Sequence, residues 1–421
     1  MDKTKPQSYH ETKLQIIFIS DTIVSKARFQ EAGLEYLNNN GWDVTLWVYG
    51  QTFNVVECFD GACDSCRLRR FDTYRQLDKA VKLCRDVSIF YFPSRIVEST
   101  LFIPIARYNC RYIILGNRAY TPKPKESYPK YDAEPIPFRQ QFIEFVGRLK
   151  KERFKYFERK AKEILNWVYC HRNHVIPAKE HLPLAVFTTN EFSEKWMMRS
   201  QKWVDECNTV YTPSMQYEYY LEEERKGEDI SEDFVLLVAS GMGFEYLGQR
   251  RETFKDEIYR KDINEQYLRR TEHMLDLMEE HYGLPVIVAG HPRAVYKGYD
   301  FGGRKVIFGR TPELVKKCKV YIGTISYAVT FALLYNKRML FYYNDALMKT
   351  KVWIYAYIPL MEALQIKGMN LDNPDELENP WDYEELVSEA VKEDFIRTYH
   401  NSLPNGNKLY GEILEDFLLT V

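Results

Sequence analysis

Several features of secreted and membrane proteins are missing from this sequence of 421 residues. The N-terminal residues lack the apolar core of a signal peptide, and no apolar run approaches the ~20 residues that span a bilayer. The eight cysteines are scattered apart from Cys58, Cys63 and Cys66, without the paired Cys-x2-Cys of a zinc ribbon. We therefore predict a cytoplasmic protein with reduced thiols and no metal. A zinc site closed by Cys84 or a histidine is the alternative.

An excess of positive charge is also missing, since 58 Lys and Arg stand against 60 Asp and Glu, a net charge of −2. This balance argues against bulk binding of nucleic acid, which usually needs a basic surface. The length exceeds that of one hydrophobic core and predicts two domains. The aromatic content of 15%, with 32 Tyr, suits stacking on carbohydrate.

In the first half, short apolar runs alternate with helical patterns, which is typical of a parallel sheet buried on both faces. The first run predicts the central strand of a Rossmann-like domain. No Gly-x-Gly-x-x-Gly follows it, which argues against a dinucleotide, so we predict no cofactor. The predicted strands are Leu14–Ser20, Asp43–Tyr49, Val87–Phe92, Tyr112–Leu115, Leu184–Thr188 and Cys207–Tyr211.

A long helical pattern over residues 137–167 carries nine Lys or Arg interleaved with phenylalanines. One interpretation is a solvated helix that packs one aromatic stripe. The other is a basic surface, residues 148–162, that contacts anionic lipid or a charged glycan. The charged stretch Glu222–Asp229 predicts a domain boundary, with an N-terminal domain over 1–228 and a C-terminal domain over 229–421. The C-terminal domain includes terminal helices over 383–419.

Polar residues follow the predicted strands of the second half, at the edge where ligands of parallel sheets bind. Two glycines, Gly241 and Gly243, follow the first strand and allow backbone amides to approach a phosphate, with Arg250 downstream. Asn344 and Asp345 follow the last strand, and Asp345 has the alternative of capping a helix. The predicted strands are Phe234–Ala239, Leu284–Gly290, Lys305–Phe308, Val320–Gly323 and Arg338–Tyr343, with helices over Asn264–Tyr282 and Thr311–Lys317.

Two further motifs follow these strands: His291-Pro292-Arg293, and Gly323-Thr324-Ile325-Ser326. Their order and spacing resemble the C-terminal domain of GT-B glycosyltransferases. More narrowly, they resemble the His-Pro and Ser/Thr motifs of bacterial sialyltransferases and capsule Kdo transferases. They are also similar to CDP-glycerol polyol-phosphate transferases. The resemblance covers about residues 234–345 and implies an α/β GT-B fold, with two Rossmann-like domains facing across a cleft and C-terminal helices.

The resemblance implies that His291 hydrogen-bonds the phosphate of a nucleotide-sugar donor and that Pro292 fixes its loop. Thr324 and Ser326 would offer hydroxyls and amides to the same phosphate, and Arg293 could add charge. Each residue has a structural alternative: His291 as a capping residue after its strand, and Ser326 as an N-cap. Ile325 interrupts the consecutive hydroxyls of many relatives, which leaves the donor open.

Inverting sugar transfer needs a base for the acceptor hydroxyl, usually a carboxylate. The strand ends of the N-terminal domain offer Asp21, ranked first because it follows the central strand, then Glu191, with Glu98 as a further candidate. No Asp-x-Asp motif ends a strand, which favours a metal-independent mechanism.

The leading hypothesis is a glycosyltransferase of surface-polysaccharide assembly, either soluble or peripheral at the inner face of the cell membrane. It would move a CMP-activated acidic sugar, or the sugar of a related nucleotide donor, to a glycan or lipid-linked acceptor. The alternatives are a CDP-polyol phosphotransferase, a UDP-sugar epimerase, and a non-catalytic protein that binds glycan or scaffolds an assembly.

Overall fold

In the computed structural model, the chain forms two compact units. The first holds the described residues within 1–118, 135–212 and 408–421, and the second those within 119–134 and 213–407. The described residues are 14–20, 26–49, 67–93, 101–116, 122, 182–190, 207–228, 231–239, 245–246, 261–291, 294–296, 298–349, 353–401 and 407–421.

Seven parallel strands form the sheet of the first unit, in the order β3-β2-β1-β4-β5-β6-β7. All six strands predicted in this half are present, and β3 is an additional edge strand that no sequence pattern indicated. The strands are β1 Gln15–Ser20, β2 Val44–Tyr49, β3 Arg67–Phe71, β4 Ser88–Pro93, β5 Tyr112–Leu115, β6 Ala185–Thr188 and β7 Thr209–Tyr211.

Helices cover the first sheet, and particular residues set the start of two of them. The helical segment from Lys26 to Asn39 is divided at Gly33, whose positive φ of 68° suits glycine. The helix that follows β3 starts at Thr73, whose hydroxyl accepts from the Gln76 amide in a capping box. Numbered in chain order over both units, these helices are α1 Lys26–Glu31, α2 Leu34–Asn39, α3 Tyr74–Cys84, α4 Phe102–Arg107 and α13 Tyr410–Leu418.

The second unit has a six-stranded parallel sheet in the order β12-β10-β8-β13-β14-β15. The five strands predicted here are confirmed. A separate two-stranded antiparallel ladder, β9–β11, and the edge strand β15 were not predicted. The strands are β8 Val235–Val238, β9 Glu245–Tyr246, β10 Val286–Gly290, β11 Ala294–Val295, β12 Lys305–Phe308, β13 Val320–Gly323, β14 Arg338–Tyr343 and β15 Gly368–Asn370.

The two helices that the sequence predicted between strands of the second unit are both present. They are α5 Met215–Arg225, α6 Lys261–Tyr282, α7 Thr311–Lys317, α8 Val329–Leu334, α9 Asp345–Met348, α10 Ile358–Leu364, α11 Pro374–Leu377 and α12 Glu389–Tyr399. A π-helical turn, Trp353–Tyr357, precedes α10, and a 3₁₀ turn, Pro380–Tyr383, precedes α12.

A buried histidine joins three elements of the second unit. The two ring nitrogens of His400, just after α12, lie 2.8 Å from the Ser214 hydroxyl and 3.1 Å from the Thr330 hydroxyl. Ser214 caps α5, and Thr330 lies in α8. Complete burial lowers the pKa of His400 to about 3, because the charged imidazolium would lose its hydration. The imidazole is therefore neutral near pH 7.

The compact units divide the chain differently from the predicted domains. The charged stretch after Glu222 is the exposed end of α5, and α5 belongs to the second unit because Tyr219 and Tyr220 pack against its core. The last helix, α13, belongs to the first unit, where Tyr410 and Leu414 are fully buried in the core beside β1 and β4. Its apolar face therefore completes the N-terminal core rather than extending the terminal helices of the second unit.

Both sheets have the strand order of a doubly wound Rossmann domain, in which the first strand lies between the second and the fourth. The predicted fold class of two Rossmann-like α/β domains is confirmed. In such sheets the connections reverse direction between the first and fourth strands, and ligands bind at the carboxyl ends there. That point lies between β1 and β4 in the first sheet, and between β8 and β13 in the second. Within the described residues no helix is long and apolar enough to cross a membrane.

Candidate functional site

The reversal point of the second sheet brings the two predicted motifs to one edge. Val238, at the end of β8, pairs with Gly323 of β13 on one side and with Ala289 of β10 on the other. Thr324 follows β13 directly, and His291 follows β10 directly. Since neighbouring strands lie ~4.8 Å apart, the two residues stand roughly 10 Å from each other across β8. Both residues therefore lie at the same edge of the second sheet, and their shared role in binding a donor stays a prediction.

Thr324 holds a buried hydroxyl with no hydrogen-bond partner among the described residues. The residue is fully buried, and its Oγ1 accepts no bond and donates none. A hydroxyl in this state costs ~1–3 kcal/mol, so such groups in native proteins call for an explanation. A ligand oxygen at the carboxyl end of β13 would supply the missing partner.

Tyr321, on the strand that precedes Thr324, has a second buried hydroxyl that the sequence analysis did not include. Its Oη also has no hydrogen-bond partner in the described part of the chain, and burial raises its pKa well above the ordinary value. A Cβ on Gly323 would come within 2.7 Å of this oxygen. The glycine thus leaves the space that the ring occupies, and a Tyr two residues before a Gly on one strand is the sequence signal for this packing.

Ser326 has a different role from Thr324 in this structure. Its hydroxyl accepts from the Ala328 amide at 3.2 Å, and its carbonyl accepts from the Val329 amide at 3.2 Å. Both bonds shape the turn that leads into α8, which begins at Val329 rather than near Tyr327. The alternative considered for Ser326 was that it is the N-cap of this helix, but the N-cap is Ala328, which has no side-chain cap; the Ser326 hydroxyl stabilises the turn before it. Its donor role stays a prediction.

The loop after β10 holds His291 by its backbone. The His291 amide donates to the Tyr296 hydroxyl at 2.7 Å, and the His291 carbonyl accepts from the Ala294 amide at 3.1 Å. The residue is half-buried. Before it, Gly290 is required because a Cβ there would lie 2.5 Å from the Phe308 ring. The backbone of His291 is thus anchored within its own turn.

The β9–β11 ladder ties this loop to the one that follows β8. Glu245 and Tyr246 pair with Val295 and Ala294, which lie a few residues beyond His291. The predicted Gly-rich segment immediately precedes β9 in the chain, and His291 lies shortly before β11. The predicted donor residues Gly241, Gly243, Arg250, Pro292 and Arg293 lie outside the described residues.

The carboxyl end of β14 is occupied by structural contacts. The Asn344 side chain accepts from the Leu347 amide at 3.0 Å and caps α9. Asp345 accepts from the Asn370 side chain at 2.8 Å, and its amide donates to Asp372 at 3.0 Å. The cap is therefore Asn344 and not Asp345, and both residues support the turns at this edge of the sheet.

The reversal point of the first sheet lies at the ends of β1 and β4. The last residue of β1 is Ser20, which is buried, and the predicted base Asp21 follows it in the chain. Glu191 comes after the buried Asn190 beyond β6, two strands away from β4. Asp21, Glu191, Glu98 and the Cys58 cluster lie outside the described residues. Within the described ranges, no group of three or more His, Cys, Asp or Glu could hold a metal ion.

Comparison with known proteins yields structural similarity alone. No protein-family model and no curated protein matches the chain. It is similar to the UDP-GlcNAc 2-epimerase of Methanocaldococcus jannaschii, solved with UDP-GlcNAc and UDP, at 10% identity and a TM-score of 0.44 over 97% of this chain and 100% of the other.

Two further solved structures are similar over almost the whole chain. A variant of the wall teichoic acid polymerase TagF has 12% identity and a TM-score of 0.49, over 96% of this chain and 88% of the other. Anabaena Alr3699/HepE, solved with UDP-glucose, has 8% identity and a TM-score of 0.40, over 97% and 99%. At these identities and TM-scores the similarity carries no conclusion about reaction, donor or acceptor.

Proposed function

We propose that this protein is a GT-B glycosyltransferase that binds a nucleotide-sugar donor at the carboxyl edge of the second sheet. The observation that carries the proposal is the buried, unpartnered hydroxyl of Thr324 at the point where ligands of doubly wound sheets bind. His291 on the same edge supplies an imidazole next to the ligand position. Hydrogen bonds of these groups to the donor phosphates would stabilise the nucleotide as a leaving group.

The donor we propose is a CMP-activated acidic sugar of the sialic acid or Kdo type, and the acceptor a surface-polysaccharide or lipid-linked glycan. This choice rests on the similarity of the His-Pro and Gly-Thr-x-Ser segments to those families. Asp21, directly after the central strand of the first sheet, is the proposed base for the acceptor hydroxyl, with Glu191 second. The proposed mechanism inverts the anomeric centre and uses no metal.

A thermal-shift screen of the full chain against CMP, CDP, UDP, GDP and ADP tests the donor site. A nucleotide at ~100 times its Kd stabilises the folded protein by ~2.7 kcal/mol. We expect CMP to give the largest shift, and His291→Ala to reduce it. His281→Ala is the matched control, because His281 is exposed and stacks on Trp381 at 4.2 Å, away from the strand ends. Silence from all five nucleotides would refute the proposal.

Product analysis separates transfer of a sugar from transfer of a polyol phosphate. Glycosyl transfer leaves no phosphorus in the extended acceptor, whereas a CDP-polyol phosphotransferase adds one phosphate with each unit. Parallel incubations with a CMP-sugar labelled with ³²P and with a CDP-polyol labelled in the phosphate next to the polyol, followed by measurement of label and of sugar in the acceptor, distinguish the two reactions. Label in the acceptor would overturn the glycosyl reaction and keep the donor site.

A further inference from the structure

A second surface, on the first unit, combines exposed aliphatic side chains with an excess of positive charge. We define the β3–α3 surface as the exposed residues of the segment from β3 to the turn before β4. Leu83 is 71% exposed and Val87 is 58% exposed. Between residues 67 and 87, seven Arg or Lys stand against three Asp, an excess of four positive charges.

The packing of α3 places these groups together. Its buried residues Leu77, Ala80 and Val81 face the sheet, which leaves the basic residues on the outer side. Lys79 and Lys82 are three residues apart and share that side. At the C-terminal end of the helix, Leu83 and Val87 flank the turn into β4. The charged and aliphatic groups therefore form one continuous surface.

Arg69 extends the surface from α3 onto the edge strand. Its guanidinium lies 5.0 Å from the ring centroid of Phe71 and 5.4 Å from that of Trp47, on the sheet face that α3 covers. Partial burial raises the pKa of the Cys84 thiol at the end of α3, and the nearby charge of Arg69 opposes this shift. The exposed edge strand and the helix end thus present positive charge side by side.

Most of the carboxylates in the segment are already neutralised. Asp78 accepts from Arg107 at 2.7 Å and from Tyr108 at 2.8 Å, and Asp86 pairs with Arg85 at 3.0 Å. Lys79 and Lys82, in contrast, form no ion pair with any carboxylate of the described residues. The surface therefore favours an anionic partner.

We propose that the β3–α3 surface docks on an anionic lipid bilayer. The apolar part is the two side chains of Leu83 and Val87, far less than the ~800 Å² per partner of a stable protein interface, and lysine is depleted from such interfaces. Nucleic acid that binds without sequence preference is held by aromatic stacking platforms, whereas the exposed apolar groups here are leucine and valine. Aliphatic groups inserted among lipid headgroups, surrounded by long basic side chains, fit an interface between membrane and water.

Flotation of the full chain with vesicles tests this docking. We expect binding to vesicles with 30% phosphatidylglycerol, none to pure phosphatidylcholine, and release at high salt because exposed charges are screened. Lys79→Gln/Lys82→Gln should weaken binding ~25-fold, since each basic residue at an anionic surface contributes a factor of about five. Leu83→Ser/Val87→Ser should weaken it on the order of tenfold through lost apolar burial.

The control is Leu386→Ser, because Leu386 is 57% exposed in the second unit but is flanked by glutamates; its binding should equal that of the wild type. All variants change exposed groups, and thermal melts check that they fold. Failure of the wild type to float, equal binding to neutral vesicles, or unchanged binding of Leu83→Ser/Val87→Ser would overturn the proposal. Loss of binding only on neutralisation of the basic residues within 148–162 would also overturn it, as would selective binding of RNA. The donor-site screen is independent, so either proposal can fail alone.

Discussion

Replacement of Thr324 by valine separates a structural hydroxyl from one that a ligand uses. Valine keeps the branched shape and removes Oγ1, which is fully buried and has no partner in the described residues. Desolvation of an unsatisfied hydroxyl costs ~1–3 kcal/mol. We therefore expect Thr324→Val to stabilise the ligand-free protein by about 1 kcal/mol. For a unit of this size that corresponds to an increase in Tm of roughly 2–4 °C.

The same variant should lose stabilisation by nucleotide. If Oγ1 bonds the donor phosphate, its removal costs ~1.5–3 kcal/mol of binding, because the acceptor is charged. An affinity tenfold weaker reduces the stabilisation at a fixed nucleotide concentration from ~2.7 to ~1.4 kcal/mol. Chemical denaturation with and without nucleotide measures both quantities. The variant should be more stable than the wild type when free and should gain less from the ligand.

Thr330→Val is the matched control for this prediction. Thr330 is equally buried and lies in the same unit, but its hydroxyl is 3.1 Å from Nε2 of His400. Its removal leaves a buried ring nitrogen unpaired and should destabilise by ~1–3 kcal/mol. Destabilisation of Thr324→Val by a similar amount would refute the reasoning, because it would mean that Oγ1 already has a partner. Unchanged nucleotide binding in a stable Thr324→Val would remove the hydroxyl from the donor site.

Two other substitutions test the packing of each unit. In the folded protein the pKa of His400 is about 3, below its ordinary 6.5. As the pH falls from 7 to 5, the unfolded state therefore takes up a proton on His400 and the folded state does not. The contribution of His400 to the free energy of unfolding should fall by about 2 kcal/mol over this range. The stability of the wild type relative to His400→Gln, from denaturation at each pH, should fall accordingly; a difference that does not change with pH would contradict this. Gly411→Ala should destabilise by ~1–3 kcal/mol because its Cβ would lie 2.5 Å from Tyr36, whereas alanine normally stabilises a helix. A rise in Tm would show that α13 does not pack on α2.

Most strands of both sheets could be predicted because a strand that is buried on both faces has a short run of apolar residues in its sequence. Tyr112–Leu115 and Arg338–Tyr343 were predicted with the bounds that the structure has. The edge strand Lys305–Phe308 has no buried residue, but it was predicted with its observed bounds because its sequence includes an apolar run. β3 could not be found in this way. Its sequence, Arg-Leu-Arg-Arg-Phe, is exposed in all but the last residue, since an edge strand covered on one side has no need of an apolar run.

The division of the chain into its two compact units could not be predicted, because it depends on contacts between residues that are distant in the sequence. A charged stretch predicts that its residues are exposed, and most positions from Glu222 to Glu228 are exposed. Residues at the end of a helix are often exposed, however, so their exposure does not mark a boundary between two hydrophobic cores. The placement of α13 depends on contacts across almost the whole chain. Tyr410 meets Tyr91 hydroxyl to hydroxyl at 2.6 Å, and the Glu415 carboxylate accepts from the Trp42 indole at 2.7 Å. No local pattern encodes such pairs.

In the candidate site, two residues that look alike in the sequence have different hydrogen bonds in the structure. Thr324 and Ser326 are equivalent in the sequence, as two hydroxyls after one strand. In the fold, the Ser326 hydroxyl accepts a hydrogen bond from the Ala328 amide, while the hydroxyl of Thr324 is buried without a partner in the described residues. A folded protein retains an unsatisfied buried hydroxyl at a cost in stability, and a ligand that restores the bond gives a reason for that cost. Thr324 is therefore the position at which substitution should separate stability from binding, and Ser326 the one at which it should not.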